Sequence, residues 1–245
     1  MATIETIFFI DVITAAIAVS ILLFLINVPV HAKALEKQTM SYFGDMLEGA
    51  KYIKNHGYLR TFFLFNAFFF ILIAPASFLS PLQVTRSFGN DVWRLTAIEV
   101  AFSIGMMMGG IVMVYWSGFK NRVYTMILSI LVNGVVILGL GLTPVFWVYL
   151  VFMALIGLVI PVFNTPATVL LQQKVEEAFL GRVFGVMSMI ASSMMPLGML
   201  VFGPIADFIK IEWLLIATGL LMVVQSLFML KSKVLIEAGK PINED

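Results

Sequence analysis

The chain is 245 residues long, with 61% apolar residues, 12% charged residues, no cysteine and a formal net charge of +1. Soluble domains average about 45–50% apolar and about 25% charged residues, so an ordinary soluble domain is excluded and lipid is the expected solvent. The missing cysteine excludes disulfides and thiolate metal ligands, and the near-neutral balance gives no reason to expect a nucleic-acid partner.

Crossing about 30 Å of hydrocarbon takes roughly 20 residues of helix at about 1.5 Å each. Seven apolar runs have that length: Ile7–Val30, Thr61–Val84, Val92–Gly118, Val123–Leu142, Pro144–Leu171, Val183–Phe208 and Trp213–Leu230. The first is not a secretory signal, because it is 24 residues long and is preceded by Glu5 rather than by a basic leader. The pattern predicts an all-α multi-pass membrane protein with four parts: a first spanning helix in 1–30, a linker in 31–60, a six-helix bundle in 61–230 and a tail in 231–245. Lys and Arg alternate in density along the loops, twelve on one side and three on the other. Basic residues collect on the cytoplasmic side. The linker and tail are therefore expected in the cytoplasm and the N-terminus outside, in a bacterial plasma membrane.

Within the linker, Phe43, Met46, Leu47, Ala50 and Ile53 recur at helical spacing, with Asp45, Glu48, Lys51 and Lys54 on the other face. This predicts a short amphipathic helix, lying at the headgroup boundary or serving as a solvated connector, with Gly57 as its C-cap. His31 and His56 have no second ligand cluster beside them and read as surface residues. The second run carries Asn66, Ser77 and Ser80 near one face, with Pro75 and Pro81 kinking its outer part.

The third run carries the residue of most chemical interest. Glu99 lies seven residues after Val92, about 10 Å into the membrane, where a carboxylate is expensive. Thr96, Ser103 and Gly110 share its face, so the stripe is expected toward the bundle interior or an aqueous cavity. Glu99 reads either as a proton carrier or cation contact, or as a structural residue that makes a hydrogen bond or reaches the outer headgroups. Gly105 and Gly109 form a small-xxx-small pair for close helix approach. Asp11 with Thr14, shallower in the first run, reads as structural pairing, though it stays a candidate for coupling together with Asn66 and Asn164. In the fifth run Pro161, Asn164, Thr165, Pro166 and Thr168 predict a broken or kinked polar segment. Pro196 and Gly198 mark a flexing point in the sixth. The methionines of the third and sixth runs either pack or form an adaptable pocket.

Four segments carry a resemblance: Asp11-Val12-Ile13-Thr14, Glu48-Gly49-Ala50-Lys51-Tyr52-Ile53, Gly181-Arg182-Val183-Phe184, and Pro196-Leu197-Gly198 followed by Gly203-Pro204-Ile205-Ala206-Asp207. Together they resemble the major facilitator superfamily, and within it drug and siderophore exporters of the macrolide-efflux kind. The resemblance implies twelve helices in two halves, of which the seven runs correspond to the sixth through twelfth. It implies that the linker is the connector between halves and that an N-terminal half, or a pairing chain, completes the carrier. It also implies alternating access driven by a proton gradient, with no cofactor and an amphipathic small molecule as substrate. Lys120 and Arg122 sit where the second-half basic loop of the family falls, without its acidic member, and Gly181 and Arg182 form a further cytoplasmic motif.

Two other classes bear comparison with the sequence. A seven-helix sensor or receptor with an external N-terminus is the alternative, although the last run has no lysine to hold retinal and the division into one helix, a linker and six helices argues against it. An enzyme is not expected, since no His pair at metal spacing and no Ser with a basic partner falls inside the bilayer.

Overall fold

The computed structural model describes residues 4–25 and 42–241. They fall into two compact units, Met1–Ser41 and Tyr42–Asp245. The first contains α1 (Ile4–Leu25), an uninterrupted helix whose side chains from Val12 to Ile21 are exposed. Asp11 falls on this helix, and its side chain lies outside the described ones. His31 and the rest of the polar interval up to residue 41 also lie outside the described residues.

The second unit is built from α2 (Tyr42–Asn55), α3 (Gly57–Phe78), α4 (Ser80–Phe88), α5 (Val92–Trp116), α6 (Arg122–Leu142), α7 (Phe146–Lys174), α8 (Glu177–Phe208), α9 (Ile211–Lys231) and α10 (Lys233–Ala238). Counting α3 with α4, six helices of this unit are long and apolar enough to cross a membrane. Every described element is helical, and the protein is an all-α multi-pass membrane protein.

The packing follows an internal symmetry. The main contacts pair α5 with α7, α6 with α9, α6 with α7, α3 with α8 and α3 with α9. Exchanging the triplet α3, α5, α6 for α7, α8, α9 maps α5–α7 onto α8–α3, maps α6–α7 onto α9–α3 and leaves α6–α9 unchanged. Successive spans run antiparallel, so α3 and α7 point in opposite directions and the two triplets form an inverted repeat. At the self-paired contact the two backbones meet at glycine: a Cβ on Gly134 would stand 2.9 Å from the Gly219 carbonyl oxygen, and one on Gly219 2.8 Å from that of Gly134. The arrangement leaves α5 and α8 at the rim, with 22% and 17% of their apolar windows buried against 61% for α6.

Three expectations are corrected. Gly57 does not cap α2; it is the first residue of α3, and His56 alone joins the two helices in extended conformation (φ −105°, ψ 109°). A left-handed glycine cap is not needed where the chain turns directly into the next helix. Nor does α2 lie free at a boundary. Tyr52 and Ile53 are buried in the core, the Tyr52 ring stacks on Phe179 at 4.4 Å, and Asp45 and Glu48 pair with Arg182 of α8. Finally, of the two alternatives for α7, broken or kinked, the broken one does not hold. The helix runs unbroken for 29 residues through Pro161 and Pro166, and α8 for 32 through Pro196 and Pro204. Each proline removes one donor, but neighbouring helices support the segment and the helix continues.

The real interruption is at Leu79, between α3 and α4. Its N–H donates to the Pro75 carbonyl at 2.9 Å, and its own carbonyl accepts from Gln83 at 2.8 Å. Pro81, in the first turn of α4, has no N–H to give the Ser77 carbonyl four residues earlier. The Ser77 carbonyl is thereby left without its helical donor.

Candidate functional site: a carboxylate at the junction of three helices

Glycine sets how close α5 comes to α7. A Cβ at Gly105 would overlap the Ala154 carbonyl oxygen and stand 2.7 Å from its carbon; one at Gly109 would overlap the Leu158 carbonyl and stand 2.9 Å from its carbon. From the other side, a Cβ at Gly157 would overlap the Phe102 carbonyl and lie 3.0 Å from Met106 N. The two backbones are in contact, which only glycine on these faces permits. Ile98, Gly105, Gly109 and Met113 thus form the buried face of α5.

That face decides where Glu99 points. Thr96, Glu99 and Ser103 are all exposed in the unit, so the polar stripe does not enter the bundle interior as one of the two expectations had it. Glu99 borders a cavity of about 130 Å³ whose other walls are Ala76, Ser77 and Ser80 at the α3–α4 break, Phe102 of α5, and Met153 and Ile156 of α7. The structure therefore brings together the carboxylate and two hydroxyls that are far apart in sequence. Ser80 is buried and donates to the Ala76 carbonyl. The cavity is large and polar enough to admit water.

Beside it lies a polar network that sequence reasoning missed. Gln83 and Tyr149 are fully buried; Tyr149 donates to Gln83 Oε1 at 3.0 Å, and Gln83 Nε2 donates to the Leu140 carbonyl at 3.2 Å. The available signal was Gln83 itself, an amide at the end of an apolar run two residues after a proline, which must find partners if it is buried.

The other predicted residues lie elsewhere. Asn66 is buried in α3 and donates to the Phe62 carbonyl at 3.0 Å, leaving its Oδ1 without a partner. Asn164 is exposed on α7, away from the cavity lining. Pro161 is half-buried and Pro196 exposed, whereas Gly198 is buried where a Cβ would stand 3.0 Å from the Ile71 carbonyl oxygen, an acceptor that Pro75 leaves without its helical donor. Asn133, unremarked in the sequence, is fully buried in α6 with neither side-chain atom hydrogen-bonded.

Two motifs meet on the α2 side. Arg182 pairs with Asp45 at 3.0 Å and with Glu48 at 3.2 Å, while a Cβ on Gly49 would stand 3.0 Å from the Arg182 carbonyl oxygen. Gly181 is exposed in open space. The Lys120–Arg122 loop is held by the tail: Asn121 Nδ2 donates to the Ile236 carbonyl at 2.8 Å, the Arg122 N–H to that of Gly239 at 3.2 Å, and Arg122 Nη1 to that of Ser117 at 2.9 Å. No group of three or more His, Asp or Glu side chains among the described residues is placed to hold a metal.

Comparison with known proteins agrees with this architecture. The Major Facilitator Superfamily model matches residues 2–199. Macrolide efflux protein A of Streptococcus pyogenes is 26% identical over 216 residues, covering 87% of this chain and 53% of that protein. Macrolide efflux protein A of Enterococcus faecalis is 27% identical over 192 residues, covering 78% and 59%, and the multidrug efflux pump Tap of Mycolicibacterium fortuitum 27% over 211 residues, covering 83% and 50%. The chain spans about half the length of these curated relatives. With an inverted-repeat bundle of six spans and a family match over most of its length, the chain belongs to the major facilitator superfamily.

Proposed function

We propose that the six-helix unit is one half of a secondary exporter that moves amphipathic small molecules out of the bacterial cell in exchange for protons. The observation that carries this reading is Glu99, an acidic side chain on a spanning helix, bordering a small cavity with Ser77 and Ser80 among otherwise apolar walls. A carboxylate at such a place in a membrane helix is expensive and is a functional candidate by default. Its proposed role is to take up and release the proton, with the two hydroxyls and cavity water relaying it.

A cavity of about 130 Å³ is too small for a macrolide-sized molecule, since sites for drug-sized ligands run to roughly 300–1,000 Å³. The substrate is therefore proposed to bind outside it, between this half and a second bundle supplied by the same polypeptide or by another chain, with alternating access by rocking of the two. Export of macrolide-like or other drugs is supported by the names of the relatives, and siderophore-like compounds are proposed as a further substrate class. The basic loops, on the side that carries α2 and α10, are proposed to face the cytoplasm. One proton moving down 100 mV supplies about 2.3 kcal/mol, enough to sustain roughly a fiftyfold substrate gradient.

The test is antibiotic accumulation in a macrolide-sensitive bacterium expressing a carrier that contains this half. Lowered accumulation that collapses with a protonophore, and that is lost in Glu99→Gln, is the expected result. Efflux unchanged in Glu99→Gln would make Glu99 a structural residue.

A further inference from the structure

We propose that a groove on the outside of the bundle, between α6 and α9, is a binding site for an anionic phospholipid, with the headgroup at Lys120 and an acyl chain laid along α6. The groove is shallow and open along its length, takes in about 710 Å³ and is lined by Lys120, Tyr124, Ile127, Leu128 and Leu131 together with Leu230 of α9. The four α6 residues stand at spacings of three, four and seven and so form one face of the helix. Apart from Lys120 and the neighbouring Asn121, the walls are apolar or aromatic.

Its length and its single charge identify the occupant. From Arg122, where α6 begins, to Leu131 is nine residues, about 14 Å of helix, and with the turn that carries Lys120 this is about half of a 30 Å hydrocarbon core. The groove therefore runs from the membrane surface to the midplane, the depth of one leaflet. Lys120 stands at the surface end, exposed, and among the described residues it makes no ion pair. A cation with no protein counter-charge at the mouth of an apolar trough complements a lipid phosphate. A second copy of the chain fits less well, because a two-fold axis along the membrane normal would set two Lys120 side chains at the same depth with like charges facing. Lys120 itself is held in place: the adjacent Asn121 caps α6 through its side chain, accepting from the Val123 N–H at 3.0 Å, and is tied to the tail helix.

The test is lipid retention by the whole 245-residue chain in mild detergent, read by native mass spectrometry with dioleoyl phosphatidylglycerol and dioleoyl phosphatidylcholine supplied in equal amounts. Phosphatidylglycerol is retained preferentially, and Lys120→Gln lowers that preference about fivefold, the value of one lysine at an anionic surface. Lys120→Arg keeps the preference. Leu128→Trp, which fills the trough from a lipid-facing position, loses both lipids with the thermal melting of the chain unchanged. Lys51→Gln on α2 has no effect. Equal retention of the two lipids by the unaltered chain, an unchanged preference in Lys120→Gln, or the same fall in Lys51→Gln overturns the proposal. So does a concentration-dependent dimer that Leu128→Trp abolishes, which would assign the groove to a second copy.

Discussion

Gly109 and Gly110 are neighbours on α5, and the structure gives the same substitution opposite effects at the two positions. At Gly110 an added Cβ meets nothing within 4 Å, so alanine there brings only its helix-forming advantage, about 0.5–1 kcal/mol of stabilisation. At Gly109 the new methyl would overlap the Leu158 carbonyl oxygen and stand 2.9 Å from its carbon. Ordinary contact is about 3.5–4.0 Å, so α5 and α7 would have to separate by roughly 1 Å, and a gap of that size forfeits about a quarter to a half of each dispersion contact across the seam. The obstacle is backbone, which cannot rotate away, so the loss belongs at the upper end of overpacking costs, about 2–3 kcal/mol. The two variants should therefore differ by about 3 kcal/mol. At about 2–4 °C per kcal/mol for a chain of this size, that is roughly 6–12 °C in Tm. Intrinsic fluorescence follows the melt, since the chain has four tryptophans and no cysteine for thiol-reactive dyes. Gly109→Ala melting at or above the temperature of Gly110→Ala would refute the backbone contact between α5 and α7.

The buried pair gives a second prediction: Tyr149→Phe leaves Gln83 Oε1 without its donor, and Gln83→Leu removes the partner of Tyr149, so a double-mutant cycle on Tm should show a coupling of about 0.6–1.7 kcal/mol, and strict additivity would deny the hydrogen bond. Arg182→Ala releases two carboxylates on α2, so hydrogen exchange over residues 42–55 should speed up while α6 is unaffected; Arg182→Lys, lacking the planar fork, should restore the protection only in part. Asn121→Ala should free the tail, raising proteolysis after Lys231 and Lys233, because it removes both the α6 cap and the bond to Ile236.

Much of the fold was legible because hydrocarbon imposes one strong rule. A run of apolar residues must be helix from end to end, since no unsatisfied backbone is tolerated there. The six spans of the second unit accordingly follow the hydropathy runs, from Val92–Trp116 against Val92–Gly118 to Glu177–Phe208, which starts six residues before the run from Val183. Punctuation was harder to read. Pro75 and Pro81 mark the break at Leu79, yet Pro161 and Pro166 break nothing, because the outcome depends on which neighbour supports the freed carbonyls. Gly57 has the composition of a cap and serves as the first residue of a helix. For the site, cost alone singled out Glu99, and spacing singled out Gly105 and Gly109. What sequence does not encode locally is the partner: Ser77 and Ser80 line one cavity with Glu99 because glycine backbones fix the α5–α7 seam beside the α3–α4 break. The burial of Asn133 and Gln83 likewise follows from the sides of α6 and α4 that the packing encloses.

Reconstituted transport divides the central claim most directly. In proteoliposomes holding a carrier that contains this half, Glu99→Gln is measured twice, once for drug movement driven by an imposed pH gradient and once for counterflow of drug against drug with no gradient. If Glu99 carries the proton, gradient-driven movement disappears and counterflow persists. Gradient-driven movement equal to that of the unaltered carrier, or loss of both together, would contradict the role assigned to this carboxylate.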